Sequence, residues 1–249
     1  MPYFPRFAVF VAAILALAGC GIASGDERIT LRVLAASSLT DAFGELGAAY
    51  RSANRHVTSV QFEFAGSQEV AGDVADRRQA DVLATADGAS MDIAAEYVTG
   101  RRAFAHGSMT IAVAADNPHR IHQVADLADA RLRVVLGGPL VPVGNYAMQV
   151  LQKAGVTVRP ASEEADARTV LTRVRTGAAD AGIVYVTDMR SAGVSASSVP
   201  IPVQQNVTAT YFAAAVRQSK HDAAAKDFVT WLHSPTATTI LRKYGFLPA

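Results

Sequence analysis

The residues of this chain best placed for chemistry are hydroxyls set where a strand gives way to a helix. Leu31 to Ala36 is a short apolar run that reads as a buried parallel strand, and it breaks into Ser37-Ser38. Leu39, Phe43, Leu46 and Tyr50 then recur at the period of an amphipathic helix. The serines therefore stand at a helix N-terminus, where unpaired N–H groups and the positive end of the dipole favour an anion. Ser38 and Asp41 also have the spacing of a capping box, with Asp for the usual Glu or Gln. In that reading the hydroxyl only closes its own helix. Similar junctions recur, however. Residues 57–64 alternate as a strand and end in Ala65-Gly66-Ser67, ahead of a helix marked by Val70, Ala71 and Val74.

In the second half of the chain, residues 137–144 form a Gly/Pro-rich loop that leads into a helix over 145–153. Glu163 and Glu164 are expected to open another helix as first-turn acids, with Val170, Leu171 and Val174 as its stripe. Val143 and the start of that helix correspond to Ser38 and Ser67 in the first half. No lysine or arginine lies inside these junctions, Arg168 being a turn into its helix. A small, fully ionised anion would be held there by hydroxyls and backbone N–H groups alone. Such a site supplies directed donors without leaving a side-chain charge buried and unpaired when the ligand departs.

Other chemistries find less support. No G-x-S-x-G is present, and Ala65-Gly66-Ser67-Gln68 lacks the second glycine of a nucleophile elbow. The six histidines avoid the apolar stripes, and His119-x-x-His122 sits at an Asn-Pro turn with no third ligand nearby. Gly137-Gly138-Pro139 is followed by no Gly-Lys-Ser/Thr, so it is not a phosphate-cradling loop. An enzyme would need a nucleophile that the sequence does not offer.

The elements that must position these residues alternate along the chain. Residues 80–86 read as a third short strand and 91–98 as a helix, then 109–115 as a strand, 124–127 as a short helix and 132–136 as a strand. Residues 181–186 form a buried strand carrying Tyr185 at its end. Residues 199–203, with two prolines, fit only an edge or irregular strand, 208–216 runs back as a strand, and helices follow over 223–233 and from Pro235. Strand–helix alternation predicts an α/β protein with a mainly parallel sheet, which binds ligands beyond the carboxyl ends of its strands. Two such blocks are expected, with the chain crossing between them near 107 and 214.

Residues 1–19 stand apart from the fold. Arg6 precedes an apolar run of residues 7–19, too short to span a bilayer and suited to a secretory signal. It ends in Leu17-Ala18-Gly19-Cys20, which resembles the lipobox of bacterial lipoproteins, where the cysteine is lipidated and becomes the first residue. Cys20 is the only cysteine of the 249 residues, so no disulfide forms within a chain. Loss of Arg6 takes Lys+Arg from 23 to 22 against 22 Asp+Glu. That balance offers no long-range field to hold nucleic acid or a membrane, so attachment would rest on the lipid.

With these residues assembled, the chain resembles the periplasmic molybdate-binding proteins of ABC importers, in lipoprotein form. Ala36-Ser37-Ser38-Leu39-Thr40-Asp41 is similar to the family's opening motif, and Phe64-Ala65-Gly66-Ser67 to its second serine loop. Residues 80–87, Pro142-Val143-Gly144-Asn145-Tyr146-Ala147, Asp166-Ala167-Arg168, the run 182–188 and Lys243-Tyr244-Gly245-Phe246 follow in the family's order. The resemblance implies the type II periplasmic-binding-protein fold: two α/β lobes, a double-strand hinge and a central anion cleft. It implies lobes of 29–107 with 215–249 and of 108–214, after a signal peptide (1–19) and a tether (20–28). It implies oxyanion contacts from the hydroxyls and N–H groups of Ser38 and Ser67, the N–H groups of Val143 and Ala167, and the phenol of Tyr185. Val143 stands where the family has alanine, Ala167 where it has valine, and Gly66 where serine is common. The implied function is capture of molybdate, and with it tungstate, for an ABC permease, by a monomer lipid-anchored through Cys20 outside the cell membrane. Neither catalysis, a cofactor, a metal cation nor nucleic acid is implied. The same architecture serves sulfate, phosphate and ferric-ion binding proteins and the effector domains of LysR-type regulators. A regulator is disfavoured because a lipobox, and no helix-turn-helix, precedes residue 30. A ferric site usually needs several convergent tyrosines, and only Tyr185 has a plausible address.

Overall fold

A computed structural model describes residues 28–249, so the signal, the tether up to residue 27 and Cys20 lie outside the described residues. Three βα units open the fold: β1 (Ile29–Ala36) and α1 (Thr40–Ala53), β2 (Val57–Ala65) and α2 (Ser67–Ala75), β3 (Val82–Thr85) and α3 (Gly88–Ile93). A long strand, β4 (Val98–Ala114), follows. Next come β5 (Val134–Gly137), α4 (Pro142–Ala154), β6 (Ser162–Glu164), α5 (Ala167–Arg175), β7 (Ala181–Tyr185), α6 (Val186–Met189) and β8 (Ala196–Pro200). The chain closes with β9 (Thr208–Val216), α7 (Asp222–Trp231), α8 (Pro235–Lys243) and β10 (Leu247–Pro248).

The strands run β2-β1-β3-β9-β4-β7-β5-β6, with β8 and β10 pairing β4 off that path. Pairing is parallel within β1, β2 and β3 and within β5, β6 and β7, and antiparallel wherever β4 or β9 takes part. β4 belongs to two sheets. Its stretch up to Ser108 pairs β9, and from Met109 onward it pairs β7. Apolar residues fill both faces of the paired strands, with Phe43 of α1 wholly buried against the rings of Phe62, Phe104 and Phe228.

The crossing at residue 108 is tied to the return crossing by one side chain. Asn206 Oδ1 accepts from Met109 N at 3.0 Å, and Asn206 Nδ2 donates to Met109 O at 2.8 Å. The return therefore lies beside Asn206 and not near 214. β9 pairs β4 from Thr208 and β3 from Phe212, so residues 208–214 go with the first sheet.

Other sequence expectations shift for local reasons. Glu163 and Glu164 do not open a helix: they form β6 against β5, and the helix starts at Ala167 because Asp166 caps it through Thr169 N at 3.0 Å. The helix expected over 91–98 starts earlier, at Gly88, since Asp87 accepts from Ser90 N at 2.8 Å; Val98 already belongs to β4. The capping box at Ser38 and Asp41 does not form. Residues Ser37–Leu39 make a 3-10 turn with no side-chain cap, and Asp41 turns to Arg168 instead.

Candidate functional site

Strand ends from both sheets converge on one small cavity. Its walls are Ala36 to Ser38 after β1, Ser67 after β2, Ala86 after β3, Val141 to Val143 after β5, Ala165 to Ala167 after β6, and Tyr185 at the end of β7. Ser38, Ser67, Val143, Ala167 and Tyr185 are thus all brought together, and all are buried. The remaining space is about 10 Å3, which admits one water-sized sphere. A tetrahedral oxyanion is larger than one water, so the cavity in this arrangement does not accommodate one.

Each wall offers a donor for a reason visible in its local structure. Ser67 and Ala167 are the first residues of α2 and α5, and Val143 is the second of α4, so their N–H groups have no acceptor within the helix. The Ser67 hydroxyl oxygen accepts from Ala86 N at 3.0 Å, which leaves its proton free to donate. The Ser38 hydroxyl and the Tyr185 phenol are buried without any partner. Burial first, then the neighbouring Tyr211, Tyr146 and Asp188, pushes the Tyr185 phenol well above its ordinary value, so it stays a proton donor. The nearby acid of the cavity wall, Asp166, faces its own helix: it takes Thr169 N at 3.0 Å and Thr169 Oγ1 at 2.9 Å. The lining offers donors and no free acceptor charge.

The Gly/Pro-rich loop finds its purpose in close packing. A Cβ on Gly144 would lie 1.9 Å from the Gly138 carbonyl oxygen, and one on Gly137 would lie 2.5 Å from Val143 Cγ1. Only glycines let α4 start so close to β5, and that seats Val143 in the wall. Gly66 has a comparable role across the cavity. A Cβ there would meet the Ala165 carbonyl oxygen at 2.7 Å, so the serine common in the resembled family would force the two loops apart.

Sequence reasoning missed three features. Tyr211 of β9 packs 5.8 Å from the Tyr185 ring, and Tyr146 lies 6.3 Å from it on another side. Three tyrosines therefore converge where one was expected. Burial raises the Tyr211 phenol too, against the pull of the neighbouring Ser38 and Thr187 hydroxyls. The only advance signal was strand alternation, which turns Ala209, Tyr211 and Ala213 inward. Second, Asp188 is wholly buried behind Tyr185. Its Oδ2 accepts from Tyr185 N at 3.0 Å, its Oδ1 has no partner, and burial pushes its carboxyl up to about 7 against the pull of Arg168. Third, Arg168 joins the sheets outside the cavity. It donates to Asp41 Oδ2 at 2.5 Å and Ser37 O at 3.3 Å on one side, and to Ser191 Oγ at 3.0 Å on the other.

A fold whose strand ends close on a donor-lined cavity has clear relatives. Residues 31–247 match the family of bacterial extracellular solute-binding proteins. The chain belongs to that family. It is a solute-binding protein and not an enzyme, and what such a protein holds is cargo, not a cofactor. The molybdate-binding protein ModA of Mycobacterium tuberculosis H37Rv is 35% identical over 247 residues, covering 96% of this chain and 94% of that protein. Among solved structures, the periplasmic molybdate-binding protein of Azotobacter vinelandii superposes with a TM-score of 0.77 at 20% identity, over 88% of this chain and 99% of that one. The sulfate-binding protein SubI of Mycobacterium tuberculosis H37Rv also gives a TM-score of 0.77, at 19% identity, over 89% and 88%. The two-lobed α/β fold of periplasmic binding proteins is therefore the fold of this chain.

Proposed function

We propose that this protein captures a tetrahedral oxyanion, molybdate first and tungstate with it, and passes it to an ABC permease. The observation that carries the reading is the donor-only lining: hydroxyls of Ser38 and Ser67, N–H groups of Ser67, Val143 and Ala167, and the protonated Tyr185 phenol around one cavity. A full dianion accepts from all of them. Protonated phosphate would bring a donor of its own, and Asp166 is turned away from it, which leaves one polar contact unmade at ~1–3 kcal/mol. Relatives named for molybdate at 35% identity support the choice of ligand.

The lobes in this reading are residues 29–108 with 208–249, and 109–207. They part about the paired crossings at Met109 and Asn206 to admit the anion and close over it. The chain is exported by residues 1–19 and held outside the cell membrane by lipid on Cys20. Sulfate is the second reading, because it too is a dianion and a sulfate-binding protein shares the fold. Only pocket size separates the two, and Val143 fills the wall with a larger side chain than alanine. Competition calorimetry at pH 7 with molybdate, tungstate, sulfate and phosphate tests the assignment. Molybdate and tungstate are expected to bind tightest. Sulfate binding as tightly as molybdate would sink the molybdate reading and leave the oxyanion reading standing.

A further inference from the structure

At the opposite end of the first sheet from the anion cavity, a groove of about 180 Å3 runs past the start of β1 and the turn after β9. Thr30, Arg32, Arg77, Arg78, Ser219, Lys220 and His221 are among its walls. Its chemistry is that of an anion site of a second kind. Arg32, Arg77 and Lys220 are exposed, and none has a carboxylate within ion-pair distance among the described residues; Arg78 is instead engaged by Asp73 and Glu63. Arg77 also holds a left-handed backbone (φ 62°), a conformation that usually favours glycine. The acid of the groove, Asp81, is buried and already occupied: it accepts from Arg32 N at 2.7 Å and from Ser219 Oγ at 2.5 Å. Arg32 Nη1 donates to the neutral Gln79 Oε1 at 3.2 Å, which leaves its charge uncompensated, so overall charge balance conceals a local cluster of cations without carboxylate partners at one pole.

The position of that pole suggests its occupant. The chain enters the fold at Ile29, whose N–H donates to His56 O at 3.0 Å, one residue before Thr30 of the groove. Fully extended, residues 20–28 reach at most roughly 30 Å. A chain anchored at Cys20 would keep this groove within that distance of the bilayer. We propose that the groove binds the phosphate of an anionic phospholipid headgroup, with Arg32, Arg77 and Lys220 as its ligands. Guanidinium forks suit phosphate oxygens, and a groove of this size takes a phosphate with its glycerol. The placement rests on the lipid-anchor reading, but binding itself does not.

The test uses the chain from residue 20 with Cys20→Ser, so that no acyl group contributes, saturated with molybdate to fill the cleft. Sedimentation with phosphatidylglycerol vesicles should bring the protein down, with phosphatidylcholine vesicles it should not, and salt should weaken the binding. Each cation near an anionic surface is worth roughly fivefold, so Arg32→Gln/Arg77→Gln/Lys220→Gln should lose about 100-fold while molybdate affinity stays unchanged. Equal binding to both vesicles, or an unaffected triple variant, overturns the proposal. Tight binding of inorganic phosphate without vesicle binding also overturns it, pointing to a soluble ligand. Mass spectrometry of the native membrane fraction tests the anchor separately: an unacylated Cys20 beside intact phosphatidylglycerol binding defeats the anchor alone.

Discussion

Removing the link between Arg168 and Asp41 should open the protein. The two side chains belong to α1 and α5, helices that pack on different sheets, and meet at 2.5 Å, with 26% and 35% of their surfaces exposed. Two unit charges about 4 Å apart attract by about 4 kcal/mol at an effective dielectric near 20, before desolvation and side-chain ordering are subtracted. What remains for a pair this shielded is ~1–3 kcal/mol, above the typical exposed pair and below a fully buried one. In the proposed opening of the lobes the partners would separate, so all of it would favour the closed arrangement. Asp41→Asn should therefore weaken molybdate binding roughly 5- to 150-fold without altering a group that touches the anion. Arg168→Ala should cost more, since it also loses the bonds to Ser37 O and Ser191 Oγ. Calorimetry on both single variants and the double variant gives the coupling energy directly. Small-angle scattering at a molybdate concentration that just closes the parent should show a larger radius of gyration in the variants. Unchanged affinity with an unchanged scattering profile would refute the latch, and with it the idea that this ion pair sets the closing equilibrium.

Other outcomes follow from the same geometry. Ser38→Ala and Ser67→Ala should each lower oxyanion affinity by ~1–3 kcal/mol; because Ser38 caps nothing, its variant should melt with the parent, and a destabilised variant with normal affinity would count against its place in the site. Gly66→Ser should hold the loops of residues 66 and 165 apart and weaken binding while leaving the fold intact, which calorimetry and circular dichroism together would check. Asn206→Ala strands the N–H and carbonyl of Met109, so unfolding in urea should show a loss of ~1–3 kcal/mol. Asp188 ties stability to pH: its carboxyl titrates near 7 in the fold against 3.8 when free, so between those values the unfolded chain releases a proton that the fold keeps. Stability from this group is present in full below pH 4 and is lost as pH rises towards 7, by about 4 kcal/mol at most; Asp188→Asn should flatten that decline in melting temperature, and an equally steep decline would contradict it.

The junction residues were legible because their physics is local. A strand that stops at Ser38 or Ser67 and a helix that starts there can be read from periodicity, and the cavity lies where those elements meet. What sequence reasoning lacked were the long-range partners. Asp41 has the spacing of a capping acid, and only the fold reveals that an arginine 127 positions away competes for it. Glu163 and Glu164 look like first-turn acids, yet β5 offers a strand partner and Asp166 offers a better cap. Tyr211 reaches Tyr185 because β9 returns beside β4, a consequence of topology that no window along the chain contains. The return crossing was misplaced for the same reason, since the clasp at Asn206 depends on Met109 lying opposite it.

The distribution of charge around the cavity bears on release as much as on capture. A guanidinium placed on the anion would add affinity, but it would remain buried and unpaired after delivery. Here Arg168, which follows Ala167 of the cavity wall, pairs with Asp41 of α1 and also donates to the Ser37 carbonyl at the end of β1. Its charge thus favours closing without being spent on the ligand. When the lobes part, both Arg168 and Asp41 gain access to water, so opening does not strand either charge in a dry interior. The hydroxyls and N–H groups proposed to face the anion would likewise become free to bond with water. In the proposed reading, a site built this way would bind a dianion firmly only while the lobes are shut. In the proposed function, release would require separating the lobes, and a permease that pulled them apart would need no competing ligand to empty the site.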